Sequence, residues 1–484
     1  MSAAKIARES IWLFGSYALS KFGRLAMMLV VAAILSPRDY GFISLSVFVI
    51  TAAQLACEFG IWQAVVHRSD PEERFVNTAF TANVIGALIL TAVLFLTAPL
   101  ISHFFGGPEL VGLLRVMALA LIFDGIFYVP DGLLRKDLNF RGRALPEIVG
   151  AFGAAVVTIV LLLLGVGILS FGVGLVAQSA IRCVLTLYRI RFRPRFALSW
   201  SCLRDIASYG SSIFGHDVTR YASSNVDYLI VGRVLGAGPL GFYSLAFSLA
   251  NYPVTNFAFI LSRVAFPAFA ALREDLHYAR LMYLKMIALV AALVGPLLVV
   301  LALVADPLTV GLLGEKWQPA ILPLQLLVLA GISRSLAYPS SDMLRALSFP
   351  GVPFKISVLQ AVLVVGGLVL LVSQGIVVVA VTMTVVLSVT SWMVTIAACL
   401  KFKIGLGELG LALLPGTALA VSAALPILLL HFVDLGFMPD LVKAFVLLAA
   451  GGFGFLVCAA TVCRGYVREA ISLLTSSKPE RDDS

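Results

Sequence analysis

Ten ionisable side chains lie inside stretches apolar enough to span a bilayer: Lys21, Arg24, Glu58, Arg115, Asp124, Arg182, Asp217, Arg220, Asp227 and Arg334. A charge facing hydrocarbon at mid-membrane costs roughly 3 kcal/mol or more. So many of them imply that the helices enclose a polar space. Basic groups outnumber acidic ones in this set, so the favoured occupant is an anion. Lys21 and Arg24 are three residues apart and share one helix face. Asp217 and Arg220 repeat that spacing, with Ser224 one turn further and Asp227 close by.

The elements that carry these charges follow from composition. The chain has 484 residues, 60% hydrophobic and 13% charged, with a mean hydropathy of +1.01. Soluble domains carry roughly 25% charged residues, so the excess of apolar side chains predicts an all-α polytopic membrane protein. Polar stretches are too short for a soluble catalytic or nucleotide-binding domain. The net charge of +9 is spread in short basic clusters between apolar runs, which points to membrane topology and not to nucleic acid. Cys57, Cys183, Cys202, Cys399, Cys458 and Cys463 show no metal-type spacing, and His67, His103, His216, His277 and His431 are scattered. No nucleophile elbow, P-loop or zinc motif is present, so neither an enzyme, nor a metal site, nor an ATP-driven pump is expected. No cofactor is expected either, with Na+ or H+ coupling left open.

A 19-residue window gives about fourteen apolar segments. They lie near 10–35, 40–65, 77–102, 112–133, 145–166, 170–189, 207–234, 241–262, 282–305, 320–345, 353–373, 376–400, 409–431 and 442–463. The first is too long for a signal-peptide core and reads as a spanning helix. Alternate turns carry Arg68, Arg74, Arg135, Lys136, Arg141, Arg143, Arg189, Arg191, Arg193, Arg195, Arg204, Arg273, Arg280, Lys401 and Lys403, and the tail adds Arg464, Arg468, Lys478 and Arg481. The opposite turns hold little beyond Arg38, Lys316 and Lys443. The bias predicts that both termini are cytoplasmic.

The chain partly repeats itself. Leu35-Ser36-Pro37-Arg38-Asp39-Tyr40-Gly41-Phe42-Ile43-Ser44-Leu45 matches Leu235-Gly236-Ala237-Gly238-Pro239-Leu240-Gly241-Phe242-Tyr243-Ser244-Leu245 at an offset of 200 residues, and Phe14-Gly15 matches Phe214-Gly215. A second echo pairs Leu134-Arg135-Lys136-Asp137-Leu138-Asn139-Phe140 with Leu344-Arg345-Ala346-Leu347-Ser348-Phe349, preceded by Pro130 and Pro339. An offset of six spans keeps orientation, so the pattern predicts two pseudo-symmetric six-helix lobes followed by two additional helices. The corresponding divisions are 1–205, 206–403, 404–465 for the last two spans, and 466–484 for a polar cytoplasmic tail.

The turn Leu35-Ser36-Pro37-Arg38-Asp39-Tyr40-Gly41 resembles the LGPxxYG motif of polysaccharide transporters. Asn225 to Ala246, Arg263 to Leu272 and Leu312 to Ala320 are similar to further segments of the same group. Together they resemble the Wzx-like oligosaccharide flippases of the multidrug/oligosaccharidyl-lipid/polysaccharide (MOP) superfamily. That resemblance implies a MATE-like fold in the bacterial inner membrane. It also implies a substrate, an oligosaccharide on undecaprenyl pyrophosphate, moved from the cytoplasmic to the periplasmic leaflet for exopolysaccharide, O-antigen or capsule synthesis. A polysaccharide polymerase and a chain-length regulator are partners implied by the resemblance alone.

Under that reading Arg24 and Arg220 are the first candidates for phosphate ligands, because a guanidinium offers a fork of N–H donors. Lys21 and Arg334 come next, with Asp217 and Asp227 beside them in the cavity. Glu58 and Asp124 either take a coupling ion or pair with a nearby arginine, and Glu58-Phe59-Gly60 resembles a structural turn of the family. Arg182 is expected to snorkel and Arg115 to anchor at an interface. Tyr17, Tyr221, Tyr228, Tyr243, Tyr252 and Trp62 are candidates for stacking on sugar rings. Pro130, Pro253, Pro296, Pro339, Pro415 and Pro426 predict kinks. A MATE-type cation-coupled drug exporter should instead have an acidic cavity. A peptidoglycan-precursor flippase would share the fold without these motifs, and a membrane glycosyltransferase would need a catalytic loop that is not visible.

Overall fold

The computed structural model describes residues 23–68, 72–137, 139–190, 192–433 and 438–461. Among them the chain is helical, with no strand. In chain order the helices are α1 (Gly23–Ile34), α2 (Pro37–Glu58), α3 (Ile61–His67), α4 (Glu73–Phe105), α5 (Glu109–Ala118), α6 (Ala120–Lys136), α7 (Phe140–Leu163), α8 (Leu169–Arg189) and α9 (Trp200–Val234). They continue with α10 (Ala237–Pro253), a π-helical turn (Val254–Ala258), α11 (Phe259–Ala271), α12 (Leu276–Leu303), α13 (Ala305–Leu313) and a 3-10 turn (Glu315–Ala320). The last are α14 (Ile321–Ala346), α15 (Gly351–Leu371), α16 (Ile376–Lys401), α17 (Leu406–His431) and α18 (Asp440–Thr461).

Among the described residues eleven helices, or consecutive pairs of them, are long and apolar enough to cross a membrane. They correspond to eleven of the fourteen predicted segments. The predicted first segment lies partly outside the described residues. The seventh is present as α9 but is too polar to count as a lipid-facing span, and the eighth is broken at the π-helical turn after Pro253. A proline removes one helix hydrogen bond. Here Thr255 and Asn256 side chains donate to the carbonyls of Asn251 and Tyr252 within that turn.

Local signals explain where helices begin. Ser36 caps α2: its Oγ accepts from the Asp39 amide at 3.1 Å, and Asp39 closes the capping box, with Pro37 at the first helical position. The Ser-Pro-Arg-Asp part of the motif is therefore a helix start. Its glycine has a separate task, since the first turns of α2 and α10 pack directly on each other.

The chain divides into two compact units, one ending at Gly241 and the other beginning at Phe242. Helix α9 belongs to the first. In the first unit a core of Phe75, Val76, Phe80, Val129 and Ile206 joins α4, α6 and α9. In the second, the fully buried Trp317 packs edge-on to Phe242, with centroids 5.9 Å apart. A buried hydroxyl chain there links α12, α14 and α16: Tyr283 and Ser340 are 3.0 Å apart, and Ser340 donates to Thr395 at 3.3 Å.

Candidate functional site: the polar face of helix α9

Helix α9 has 35 residues and so spans about 52 Å, longer than a bilayer core. It seats one face on the first unit through Cys202, Ile206, Gly210, Asp227 and Val231, all buried. Gly210 touches the α2–α3 turn so closely that a Cβ there would lie 2.2 Å from the Phe59 carbonyl oxygen. That turn needs Gly60 at φ +67°, which explains the Glu58-Phe59-Gly60 signature as structural.

The middle of α9 is open: no residue from Ser211 to Val226 is buried, and Ser208, Ser211, Ser212, His216, Thr219, Arg220, Ser223 and Ser224 are all exposed. Their three- and four-residue spacing makes a continuous stripe. Ser211, Thr219 and Ser223 donate to carbonyls of their own helix, which leaves their oxygens as acceptors on the open side. Arg220, whose side chain is 68% exposed, stands 3.5 Å from Asp217. The charge of Arg220 is the part of this stripe that hydrocarbon would penalise most.

The other predicted residues are placed as follows. Arg24 is exposed on α1, with no ion-pair partner among the described residues. Lys21 lies outside the described residues. Asp227 is only 1% exposed: it continues the register of Ser223 and Ser224 into the packed C-terminal end of α9 and is covered there. Arg334 on α14 is half-buried and donates from Nη1 to Asn251 Oδ1 at 3.0 Å, with Phe247 under its guanidinium at 5.9 Å.

Glu58 and Asp124 meet different fates. Asp124 is fully buried and accepts from Arg182 Nη2 at 2.6 Å and from Gln54 Nε2 at 2.8 Å. Arg182 reaches Glu147 at 3.5 Å and lies over the Phe127 ring at 4.2 Å. The snorkelling expected of Arg182 is therefore wrong: burying one carboxylate on α6 outweighs the reach to the interface, and the pair ties α6 to α8. Glu58 pairs with no arginine among the described residues and accepts from Trp62 Nε1 and from Gln63 Nε2. Arg115 is not a free anchor either. Pro99 has no N–H to give the Phe95 carbonyl, and Arg115 Nε donates to that oxygen at 3.3 Å.

Two aromatic candidates are spoken for. Tyr243 is fully buried, and the Trp62 ring is covered by the Arg135 guanidinium at 3.8 Å. Tyr221 stacks on Phe48, with centroids 5.7 Å apart, and donates to its carbonyl oxygen at 2.8 Å. Tyr17 lies outside the described residues. The sequence reading passed over Gln54, Glu147 and Asn251, the neutral or acidic partners of the arginines. Only the presence of unpaired-looking Arg residues in apolar runs hinted that such partners exist. It also missed Asp131, which is buried and held by Arg135 at 2.6 Å and Arg143 at 2.8 Å. In the second echo Asp342, equally buried, pairs with Arg345.

The teichuronic acid biosynthesis protein TuaB of Bacillus subtilis is 29% identical over 61% of this chain and 61% of its own length. The lipopolysaccharide biosynthesis protein WzxC of Escherichia coli K12 is 27% identical over 72% of this chain and 71% of its own. The match to TuaB thus spans less than two thirds of that relative. The fold is similar to that of the lipid II flippase MurJ, solved in an inward closed conformation, with a TM-score of 0.74 and 14% identity over 96% of this chain and 100% of that one. A family model described as "Polysaccharide biosynthesis protein" matches residues 30–322. The match covers more than half of the sequence, and the chain belongs to that family.

Proposed function

We propose that this protein is an inner-membrane flippase for an oligosaccharide carried on undecaprenyl pyrophosphate, moving it outward by alternating access, with both termini cytoplasmic. The observation that carries this reading is the exposed stripe of α9. It offers hydroxyl and imidazole groups for a polyhydroxylated glycan and, at Arg220, a cation for phosphate. Arg24, exposed and without an acidic partner among the described residues, is the second phosphate ligand, and Lys21 and Arg334 assist. Asp217 orients Arg220. Asp124 serves as a structural acid, being committed to Arg182. The names of TuaB and WzxC, both polysaccharide-biosynthesis proteins, support the glycan class.

The test is complementation of a strain that lacks the gene. Arg24→Ala with Arg220→Ala should abolish surface polymer at normal protein level, and the Lys replacements should keep part of it. Full export by the double Ala variant would remove both residues from the substrate path.

A further inference from the structure

The connector between α8 and α9 reads Arg189-Ile190-Arg191-Phe192-Arg193-Pro194-Arg195-Phe196-Ala197-Leu198-Ser199-Trp200. Basic residues fill every second place from 189 to 195, and apolar ones fill the places between. In an extended chain that alternation sends the two sets to opposite sides. Residues 192–199 belong to no helix or turn, and Ile190 and Ser199 at the two ends have extended backbone angles.

The strap is docked on the start of α4. The Arg195 amide donates to Asn77 Oδ1 and the Ala197 amide to Thr81 Oγ1, each at 3.0 Å. Two extended residues advance about 6.6 Å and one four-residue step of helix about 6 Å. The two ladders therefore keep step over that distance. Phe192 and Phe196 both contact Phe80, at centroid distances of 6.1 and 5.9 Å, and Arg195 stands 3.4 Å from Glu73.

What the docking leaves outside is unusual for a water-facing loop. Tyr188 is 88% exposed, Phe196 77%, Leu198 58% and Trp200 78%. Arg193 is exposed beside them, and the Arg195 side chain is 77% exposed. The strap runs from the end of one membrane-crossing helix, α8, along the first turns of another, α4. Aromatic rings and arginines together are the residues that settle at the lipid–water boundary.

We propose that this strap is an anionic-phospholipid docking site, with Phe196, Leu198 and Trp200 in the acyl boundary and Arg193 and Arg195 on headgroup phosphates. It would fasten the polar helix α9 to the membrane surface where α9 begins. The inference rests on the membrane-spanning fold and is independent of which lipid-linked cargo is moved.

The full-length protein is reconstituted in phosphatidylcholine vesicles with or without phosphatidylglycerol, one lipid at a time carrying bromine. Quenching assigned to Trp200 is the difference between wild type and Trp200→Phe. Brominated phosphatidylglycerol should quench it more strongly than brominated phosphatidylcholine, and the preference should fall roughly fivefold for each of Arg193→Gln and Arg195→Gln. Co-purified phosphatidylglycerol, measured by mass spectrometry in wild type and Arg193→Gln/Arg195→Gln, reads the same point without touching Trp200. Equal quenching by both lipids, no quenching by either, or unchanged lipid retention in the arginine variant would overturn the proposal.

Discussion

Gly41 and Gly241, 200 residues apart, make reciprocal contacts. A Cβ on Gly41 would lie 1.8 Å from the Ala237 carbonyl oxygen, and a Cβ on Gly241 would lie 1.9 Å from the Pro37 carbonyl oxygen. Ala237 is itself Pro37 shifted by 200. Each of the two turns thus lays its glycine on a first-turn carbonyl of the other. Only glycine permits that approach, which gives the glycine of the repeated motif a physical cause.

The contact yields a stability prediction. Gly41→Ala and Gly241→Ala should each cost roughly 1–3 kcal/mol, because the backbone must shift to admit a methyl group. Gly238→Ala is the control: no atom lies within 4 Å of its Cβ position, so it should be neutral or slightly stabilising. Thermal unfolding of purified protein in detergent decides. Gly41→Ala melting with wild type would mean that the two turns are not in contact.

The buried pair on α6 and α8 can be tested as structure. Asp124→Ala leaves Arg182 buried with only the looser Glu147, at 3.5 Å, and should cost about 3–5 kcal/mol. Replacing both, Asp124→Asn with Arg182→Gln, should restore much of the loss, as a melting-temperature comparison would show. Were Asp124→Asn instead as stable as wild type but inactive in export, the acid would belong to ion coupling.

Pro99 and Arg115 should be energetically linked through the Phe95 carbonyl. Arg115→Ala strands that oxygen and should cost about 1–2 kcal/mol. In a Pro99→Ala background the restored amide takes over the bond and the cost should nearly vanish. A double-mutant cycle on unfolding free energies should give a coupling of roughly 1 kcal/mol. Strict additivity would show that the Arg115 bond carries no weight.

The sequence made the membrane class, most helix positions and the repeat legible, because apolar run length and Gly/Pro placement are local signals. Ser36, Pro37 and Asp39 announce the start of α2 in the same way. Arg220 and Ser224 declared the polar face of α9 through helical spacing. Pairing was not legible. Nothing near Asp124 in sequence names Arg182, 58 residues away, and Tyr243 looked like any other interfacial tyrosine until packing buried it. Asp227 follows Ser223 and Ser224 in the same helical register yet is buried, because the end of α9 that carries it is packed, and register alone does not show that. Pro253 announced an irregularity in the eighth span, but its form, a π-helical turn with Thr255 and Asn256 bonding to the backbone, was not legible.

The most direct test is leaflet translocation in vesicles that contain only this protein and a fluorescent oligosaccharide on polyprenyl pyrophosphate, read with an impermeant quencher. The wild type should carry the label across, Arg220→Ala should slow it at least tenfold, and Arg220→Lys should fall between. Movement at the wild-type rate in Arg220→Ala, or none in the wild type with the protein folded and oriented, would contradict a cationic, hydroxyl-lined passage along α9.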